Sequence, residues 1–589
     1  MRHIHNNAKY RIIGFIFLFL TPLQTLFGQP IVAPGQVLMT TRPNITDIPS
    51  LDKPDNKLLG IAPSQVVVQP EAVVPTIHLA AATYVQGFKF AGNSVFTSTD
   101  LSKLLKPYIH KKLNVAQIYQ AADVITHYYR KKGYFVAQAF VPPQNIKSGY
   151  VTLLLVEGHI NKKNIGIDNP GRQIKTATVK HILECALKPG SVITHHKIER
   201  ALLLLNDRPG ISATATLIPG DEVGSGHLLV KIRDLARVSG HAEYDNFGTY
   251  ETGQNRFGST LFLNSPTGHG ASVTLHGLVS DNALLYGYGN VMMPVGANGL
   301  RLGTAFSGLR YRLKTENSDG RAIDMRLFSE YPFVRTRQTN LMGTLEYTYL
   351  NLSDTLNGSN SSRRSIHDVT ATLNGDHRDN FGGGGVSTAS IGMTGGSLDL
   401  DGNKTFKALD AATAQTAGGF VRLDGSLARH QAISGPWSTY VALSGQYAFQ
   451  NLDSSQQFTM GGPFSMPGYP VGEVFGDLGL LLHTDLRYSI ASPPWKGKLQ
   501  LLGIYSVGFI QLHHTTWANW QGTNTTIKNH FSLQSVAIGF VQNWHVGSIR
   551  FLASRLLGER SPSRDPITGT FSDNSKGDYR YWVQGGLYF

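Results

Sequence analysis

The residues best suited to metal or nucleophilic chemistry are two pairs of adjacent histidines and a single cysteine. The pairs are His195-His196 and His513-His514, and the cysteine is Cys185. Side chains adjacent on a strand point to opposite faces, so the second pair could not hold one ion there. One cysteine cannot form an intrachain disulfide or a multi-cysteine zinc site. The chain also lacks the GxxxxGK and HExxH motifs, so we predict no metal, no cofactor and no enzymatic activity.

Basic charge is concentrated in one quarter of the chain. Residues 84–234 hold 20 Lys and Arg and 10 Asp and Glu, so +10 of the formal net charge of +14 lies there. Such a surface can attract an acidic polypeptide, anionic lipid or nucleic acid, or it can simply keep the region solvated.

A secretory signal peptide is predicted over residues 1–28. Three basic residues, Arg2, Lys9 and Arg11, precede an apolar run at residues 12–20, and this run is too short to cross a bilayer. Export makes nucleic acid the least expected partner. Residues 29–82 are rich in proline and are predicted to form an extended linker, with a pore plug as a second role.

Residues 83–158 and 159–234 are predicted to be two copies of one β-α-α-β-β unit. In the first copy Asn114 caps a helix with a helical apolar period, and Gly133 ends it. Thr194 caps the corresponding helix of the second copy. The predicted strands are residues 84–90, 134–141, 150–157, 160–167, 211–217 and 227–232. The internal repeat indicates two small α+β domains.

Residues 235–589 show alternating polar and apolar positions between turn-forming clusters. In residues 440–450, for example, Leu443 and Tyr447 share one face and Ser444 lies on the other. A soluble sandwich and a membrane barrel both satisfy this pattern. Strands of about ten residues with aromatic ends favour a barrel. At roughly 22 residues per strand and loop, this region accommodates about 16 strands.

Arginines on the polar faces of the predicted strands would line a cationic channel inside such a barrel. These candidate pore-lining residues are Arg310, Arg312, Arg422, Arg550 and Arg580.

Several short motifs follow one another along residues 84–589. They are GFKFAGNSVF at 87–96, VPPQ at 141–144, VEG at 156–158, LIPG at 217–220 and YDNFG at 244–248. In this order the chain resembles the outer-membrane transporters of two-partner secretion, the haemolysin and filamentous-haemagglutinin transporter family. The resemblance implies a transmembrane antiparallel β-barrel of about 16 strands after two polypeptide-transport-associated (POTRA) domains.

The resemblance also implies a location and a partner. The barrel would lie in the outer membrane of a Gram-negative bacterium as a monomer surrounded by lipid, with the two small domains in the periplasm. The partner would be a secreted exoprotein of the adhesin or cytolysin type. A barrel-assembly factor and a passive porin or receptor remain alternative interpretations of the sequence.

Residues 460–479 resemble the long loop that folds back into the barrel lumen in this superfamily. The family motif there is an apolar residue, Arg, Gly and an aromatic residue. The corresponding residues here are Met466, Pro467, Gly468 and Tyr469, so proline replaces the arginine.

The arginine of the family is implied to pair with an Asp on a facing inner wall. The matching wall segment is Tyr505, Ser506 and Gly508, with serine in place of the Asp. Losing both charges together avoids an unpaired, partly desolvated charge. We expect the loop to enter the lumen and to be held by packing of Tyr469; an ordinary extracellular loop is the alternative.

An unfolded exoprotein can add as a strand to an exposed sheet edge, which makes little demand on its sequence. We expect its contact surface on the first small domain to combine basic charge with the VPPQ segment. The candidate residues are Lys131, Lys132, Val141, Pro142, Pro143 and Gln144.

Overall fold

The computed structural model describes residues 67–68, 82–144, 146, 148–159, 165–188, 190–219, 226–314, 317–490, 497–521, 527–558 and 569–589. The predicted signal peptide and nearly all of the predicted linker, with its possible plug, lie outside these residues. Among the residues described, no helix is both long enough and apolar enough to cross a bilayer.

The first small domain packs two helices on a three-stranded sheet, with a two-stranded sheet beside it. A short strand, β1 (Val67–Val68), precedes this domain. The elements of the domain are β2 (Thr83–Val85), β3 (Gly87–Ala91), α1 (Ser98–Leu104), β4 (Lys111–Leu113), α2 (Val115–Lys131), β5 (Gln138–Phe140) and β6 (Tyr150–Val156). The central strand β6 runs parallel to β3 and antiparallel to β5.

Both helices of this domain have N-terminal caps, and those predicted at the two ends of α2 are present. The Thr97 side chain accepts a hydrogen bond from the backbone of Asp100 at the start of α1. Asn114 forms a reciprocal capping box with Gln117 at the start of α2. Gly133 ends that helix with a φ of +91°.

Two strand predictions in this domain were wrong in extent. The predicted strand 84–90 is divided into β2 and β3. The predicted strand 134–141 is reduced to β5, because the backbone N–H groups of Tyr134 and Ala137 bond to the carbonyls of Tyr129 and Tyr134 in successive turns. Those turns leave only three residues in extended pairing.

The second small domain repeats the arrangement around its own apolar core. Its elements are β7 (Ile165–Asp168), α3 (Thr176–Ala186), α4 (His195–Asn206), β8 (Ile211–Pro219) and β9 (Gly226–Asp234). The sheet order is β1-β8-β9-β7, so the short strand β1 adds in parallel to the edge strand β8.

Sixteen antiparallel strands then close into a barrel, as predicted. They are β10 (Val238–Asp245), β11 (Arg256–Asn264), β12 (Ser272–Ser280), β13 (Leu285–Val295), β14 (Leu300–Arg312), β15 (Ser318–Arg335), β16 (Thr339–Leu356), β17 (Ser359–Asp379), β18 (Gly385–Asp399), β19 (Gly418–Ser434), β20 (Trp437–Ala448), β23 (Leu478–Ile490), β24 (Lys498–Gln511), β25 (His530–Trp544), β26 (Gly547–Gly558) and β27 (Tyr579–Tyr588). Two short strands, β21 (Phe458–Met460) and β22 (Val474–Gly476), lie between β20 and β23 and pair with each other outside the barrel sheet. Pairing of β10 with β27 closes the cylinder. A further helix, α5 (Lys404–Ala412), lies between β18 and β19.

The two faces of the barrel wall differ as a membrane barrel requires. In β24 the apolar side chains of Leu501 and Phe509 are exposed on the outside, while Gln500 and Ser506 are buried on the inside. The outer surface is therefore a lipid-facing band, and polar groups are kept for the interior.

Helix α4 docks on the turns at one end of the barrel, which we call the proximal end. Asp207 at the C-terminus of α4 accepts a hydrogen bond from Nε of Arg335, the last residue of β15, at 2.9 Å. Arg200 of α4 donates to the carbonyl of Pro332 at 2.9 Å. These contacts set the second small domain against the proximal rim.

Candidate functional site

The segment between β20 and β23, residues 449–477, folds against the inner faces of several strands, and we call it the lumen loop. Met460, Met466 and Tyr469 are completely buried. They belong to one apolar cluster with inner-face residues of β23 to β26, such as Leu481 and Leu556. The lumen loop therefore occupies the interior of the barrel rather than its outer rim.

The tip of the lumen loop is bound to the wall mainly through its backbone. The Pro467 carbonyl accepts hydrogen bonds from Ser554 Oγ at 2.5 Å and from Trp582 Nε1 at 2.7 Å. The Gly468 carbonyl accepts one from Arg580 Nε at 3.1 Å. Ser554 lies on β26, and Arg580 and Trp582 lie on β27, the strand that pairs with β10 to close the barrel. The loop tip is therefore bound next to the place where the barrel closes.

Gly468 has a steric reason to be glycine. A Cβ at this position would lie 2.7 Å from the backbone nitrogen of Leu556 in β26. A real Cβ does not approach that closely, so any larger residue would push the loop away from the wall.

The predicted wall segment divides between the two faces of β24. Ser506 is fully buried on the inside, and its Oγ lies 2.9 Å from Nδ1 of His483. Gly508 also faces inward, where a Cβ would lie 2.6 Å from the sulfur of Met460. The prediction was wrong for Tyr505, whose side chain is 41 % exposed on the outer face because adjacent strand residues alternate.

His483 links the wall to the lumen loop. Its Nδ1 lies 3.2 Å from the backbone carbonyl of Ser465 in the loop. Its Nε2 lies 2.7 Å from Asp485, which also binds Arg487 at 2.6 Å. This polar row along β23 was not identified from the sequence, although alternating His, Asp and Arg on one strand face was a readable signal.

A second charged group lies on another part of the lumen wall, near the turn between β16 and β17, and was also missed. Arg364 of β17 places Nη1 2.6 Å from Asp453 of the lumen loop and Nη2 3.3 Å from Asp354 of β16. Tyr311 donates to Asp354 at 3.2 Å. This cluster joins the beginning of the lumen loop to the wall.

Three of the five predicted pore arginines face the interior. Arg422 bonds to Asp424 at 3.1 Å and to Gln446 at 2.9 Å. Arg550 lies over the ring of Phe464 in the lumen loop. Arg580 contacts the loop tip, as described above.

The prediction was wrong for the other two arginines. Arg310 and Arg312 are exposed on the outer face of β14, where Arg312 pairs with Asp319 at 2.9 Å. The alternate residues Leu309 and Tyr311 are the buried, inward-facing ones. The polar character of a strand end was therefore mistaken for the inner face.

The candidate exoprotein surface on the first small domain contains one buried residue. Val141 is 1 % exposed and belongs to the apolar core, so its predicted contact with a partner was wrong. Lys131 and Lys132 are exposed at the end of α2. Pro143 is also exposed, and Pro142 is half-buried.

Gln144 acts in place of a missing strand. Its side-chain oxygen accepts a hydrogen bond from the Thr152 backbone N–H, and its side-chain nitrogen donates to the Thr152 carbonyl, both at 2.7 Å. Strand β5 is too short to cover this part of β6. The VPPQ segment thus covers part of a sheet edge.

The GFKFAGNSVF motif at 87–96 and the VEG motif at 156–158 meet at one buried carboxylate, that of Glu157. Glu157 accepts hydrogen bonds from the backbones of Ser94 and Val95 at 2.8 and 2.9 Å and from the Tyr129 hydroxyl at 2.8 Å. Burial alone would raise the pKa of Glu157, but these bonds, with another from the Ser94 hydroxyl, outweigh burial and lower it. The conspicuous Glu of VEG is therefore a structural group that holds the Gly-Asn-Ser turn.

Comparisons with known proteins agree with this architecture. Residues 84–158 match the family model "POTRA domain, ShlB-type". Residues 224–523 match the model "Haemolysin secretion/activation protein ShlB/FhaC/HecB", which covers half of the chain.

Individual proteins match over most of their length. The heme/hemopexin transporter protein HuxB of Haemophilus influenzae strain 86-028NP is 26 % identical over 518 residues, covering 83 % of this chain and 89 % of the relative. The outer membrane transporter CdiB of Dickeya dadantii is 23 % identical over 488 residues, with 77 % and 81 % covered.

Solved structures show the same fold. CdiB from Escherichia coli superposes with a TM-score of 0.71 at 19 % identity, covering 92 % of this chain and 96 % of that one. CdiB from Acinetobacter baumannii gives 0.61 at 16 % identity, with 89 % and 95 % covered. With small domains at one rim, a closed barrel and a loop seated inside it, the chain belongs to the ShlB/FhaC/HecB family of haemolysin secretion/activation proteins, the outer-membrane transporters of two-partner secretion.

Proposed function

We propose that this transporter captures an unfolded exoprotein in the periplasm at its two small domains and passes it through the barrel lumen to the cell surface. The observation that carries the proposal is the lumen loop, which lies inside the barrel and is held there by non-covalent contacts, namely hydrogen bonds, ion pairs and apolar packing. A loop held in this way can move aside for a passing chain. The proximal end of the barrel then faces the periplasm.

Capture is supported by the sheet edges of the small domains. The edge strand β8 is nine residues long, and within the described part of the chain β1 pairs with two of them, Thr216 and Leu217. An extended chain can add to such an edge through backbone hydrogen bonds. The basic residues of the first domain, including Lys131 and Lys132, would attract an acidic or polar segment toward these edges.

We further propose that the cargo is of the adhesin or cytolysin type, and that one copy works alone in the lipid bilayer. The barrel closes on itself through β10 and β27, so a second copy is not needed to complete the wall. Closure also lets the backbone N–H and C=O groups of the wall form hydrogen bonds within one chain. This is required in a lipid bilayer because its hydrocarbon core offers no water to bind them.

Deletion of the gene tests this function. A tagged candidate exoprotein should disappear from the culture medium of the deletion strain and return when the gene is supplied on a plasmid. Unrelated outer-membrane barrels should keep their normal amounts in the envelope. Their loss would indicate a barrel-assembly factor, and unchanged secretion with lost solute uptake would indicate a porin or receptor.

A further inference from the structure

The tip of the lumen loop lacks an ion pair in the positions where the sequence resemblance implies one. Pro467 uses its carbonyl, and the wall residue Ser506 bonds to His483. A charged connection between loop and wall nevertheless exists at another place. Asp453 lies in the lumen loop shortly after β20, and Arg364 lies on β17 at another part of the wall.

We propose that Arg364 and Asp453 form the ion pair that holds the lumen loop in its resting position, with the cation on the wall and the anion on the loop. This polarity is the reverse of the pair implied by the resemblance. The proposal rests on the proposed secretion function and adds the positioning residues that control the loop.

The geometry of the pair is that of a strong, specific contact. The side chains of Arg364 and Asp453 are 5 % and 8 % exposed, and Nη1 lies 2.6 Å from the carboxylate. The same nitrogen lies 3.2 Å from Ser454 Oγ. Charge-assisted hydrogen bonds of this kind are about twice as strong as neutral ones.

The carboxylate is rigidly connected to the loop backbone. Asp453 also accepts hydrogen bonds from the backbone N–H of Ser455 at 3.0 Å and from its hydroxyl at 2.6 Å. The preceding residue, Leu452, is buried in the apolar cluster of the wall together with Leu352 and Ile366. The ion pair therefore fixes the path of the loop and not only one side chain.

A third group makes the anchor reversible. Asp354 lies on β16, next to Arg364, and binds Nη2 of the same guanidinium at 3.3 Å. When the loop leaves, Arg364 keeps this wall carboxylate and Asp453 moves toward water. Breaking an ordinary buried pair strands a charge at a cost of several kcal/mol, and the wall partner avoids that cost.

The roles of the two carboxylates can be separated by experiment. Met466, buried at the loop tip, is replaced by cysteine in the full-length protein carrying Cys185→Ser, and the rate of maleimide labelling in liposomes is measured. Asp453→Asn removes the anchor and should raise the labelling rate about tenfold, since it weakens a charge-assisted bond. Arg364→Gln should have the same effect, and Asp453→Glu should restore slow labelling.

Asp354→Asn is the matched control, because it removes the other carboxylate of the same arginine. It should leave labelling slow and should lower secretion of the tagged exoprotein, since Arg364 would be stranded when the loop leaves. Unchanged labelling in both Asp453→Asn and Arg364→Gln would overturn the proposal, as would equal loosening by Asp354→Asn. Failure of the parent protein to secrete the exoprotein would instead overturn the proposed function.

Discussion

At the scale of single residues, the loop tip depends on the absence of a side chain at one position. Gly468→Ala places a methyl group within 2.7 Å of the Leu556 backbone nitrogen. We expect overpacking of about 1–3 kcal/mol to shift the lumen loop from its seat. In planar bilayers the variant should show higher and noisier ion conductance than the parent protein.

Gly277→Ala is the control for this change. Gly277 lies in β12, and a Cβ there would meet no atom within 4 Å. Its conductance should equal that of the parent. Identical traces for both variants would show that the glycine is not required for the loop to reach the wall.

Residue-level expectations from the sequence succeeded where a residue's role depends on near neighbours. Asn114 and Gly133 act at helix ends because capping involves residues within one turn. The pair of Arg364 and Asp453 is separated by 89 positions and exists only after the loop folds into the lumen. No local pattern could have indicated it. The buried position of Val141 is a different case, because Ala139 and Val141 alternate inward along one short segment.

At the scale of elements, helix α4 is the part that connects the small domains to the barrel. Asp207→Ala removes the partner of Arg335, whose bonds to Asp207 are bidentate and partly buried. We expect a loss of about 1–3 kcal/mol in docking. Spin labels on α4 and on the proximal turns should then give a broader distance distribution.

The double variant Asp207→Arg with Arg335→Asp should restore a narrow distribution by exchanging the charges. Asp100→Ala, which removes the exposed pair of Asp100 and Lys103, is a control that should change nothing. A narrow distribution in Asp207→Ala would mean that other contacts suffice to hold the helix.

Elements were predictable in proportion to their length and periodicity. Barrel strands such as β20 followed from alternation over about ten residues, and α2 followed from its caps and period. Short strands such as β4 carry too few residues to show a period. The wrong assignment of Arg310 and Arg312 has a related cause, since the alternation loses its contrast where a strand leaves the membrane.

At the scale of the whole molecule, charge is segregated between the basic small domains and the barrel. Replacing Lys131 and Lys132 by glutamate should slow exoprotein capture several-fold at low salt, because both side chains are exposed at the end of α2. The difference should vanish near 1 M salt, where screening is nearly complete. Capture rates can be followed by fluorescence of a labelled exoprotein segment.

Lys404→Glu on α5 is the control, since this exposed lysine lies between β18 and β19, away from the small domains. It should leave the capture rate unchanged at every salt concentration. Equally slow capture in the Lys131/Lys132 variant and in Lys404→Glu would show that only the net charge of the protein matters. Unchanged capture in both would show that electrostatic attraction does not contribute to the capture rate.

The seated lumen loop has a consequence for the bacterium itself. A cylinder of sixteen strands is wide enough to leave an aqueous channel, as in porins. Because residues 449–477 pack into the wall from several sides, the resting protein need not admit sugars, detergents or antibiotics. The cell can therefore keep a large export conduit in its envelope and still preserve the barrier on which its survival depends.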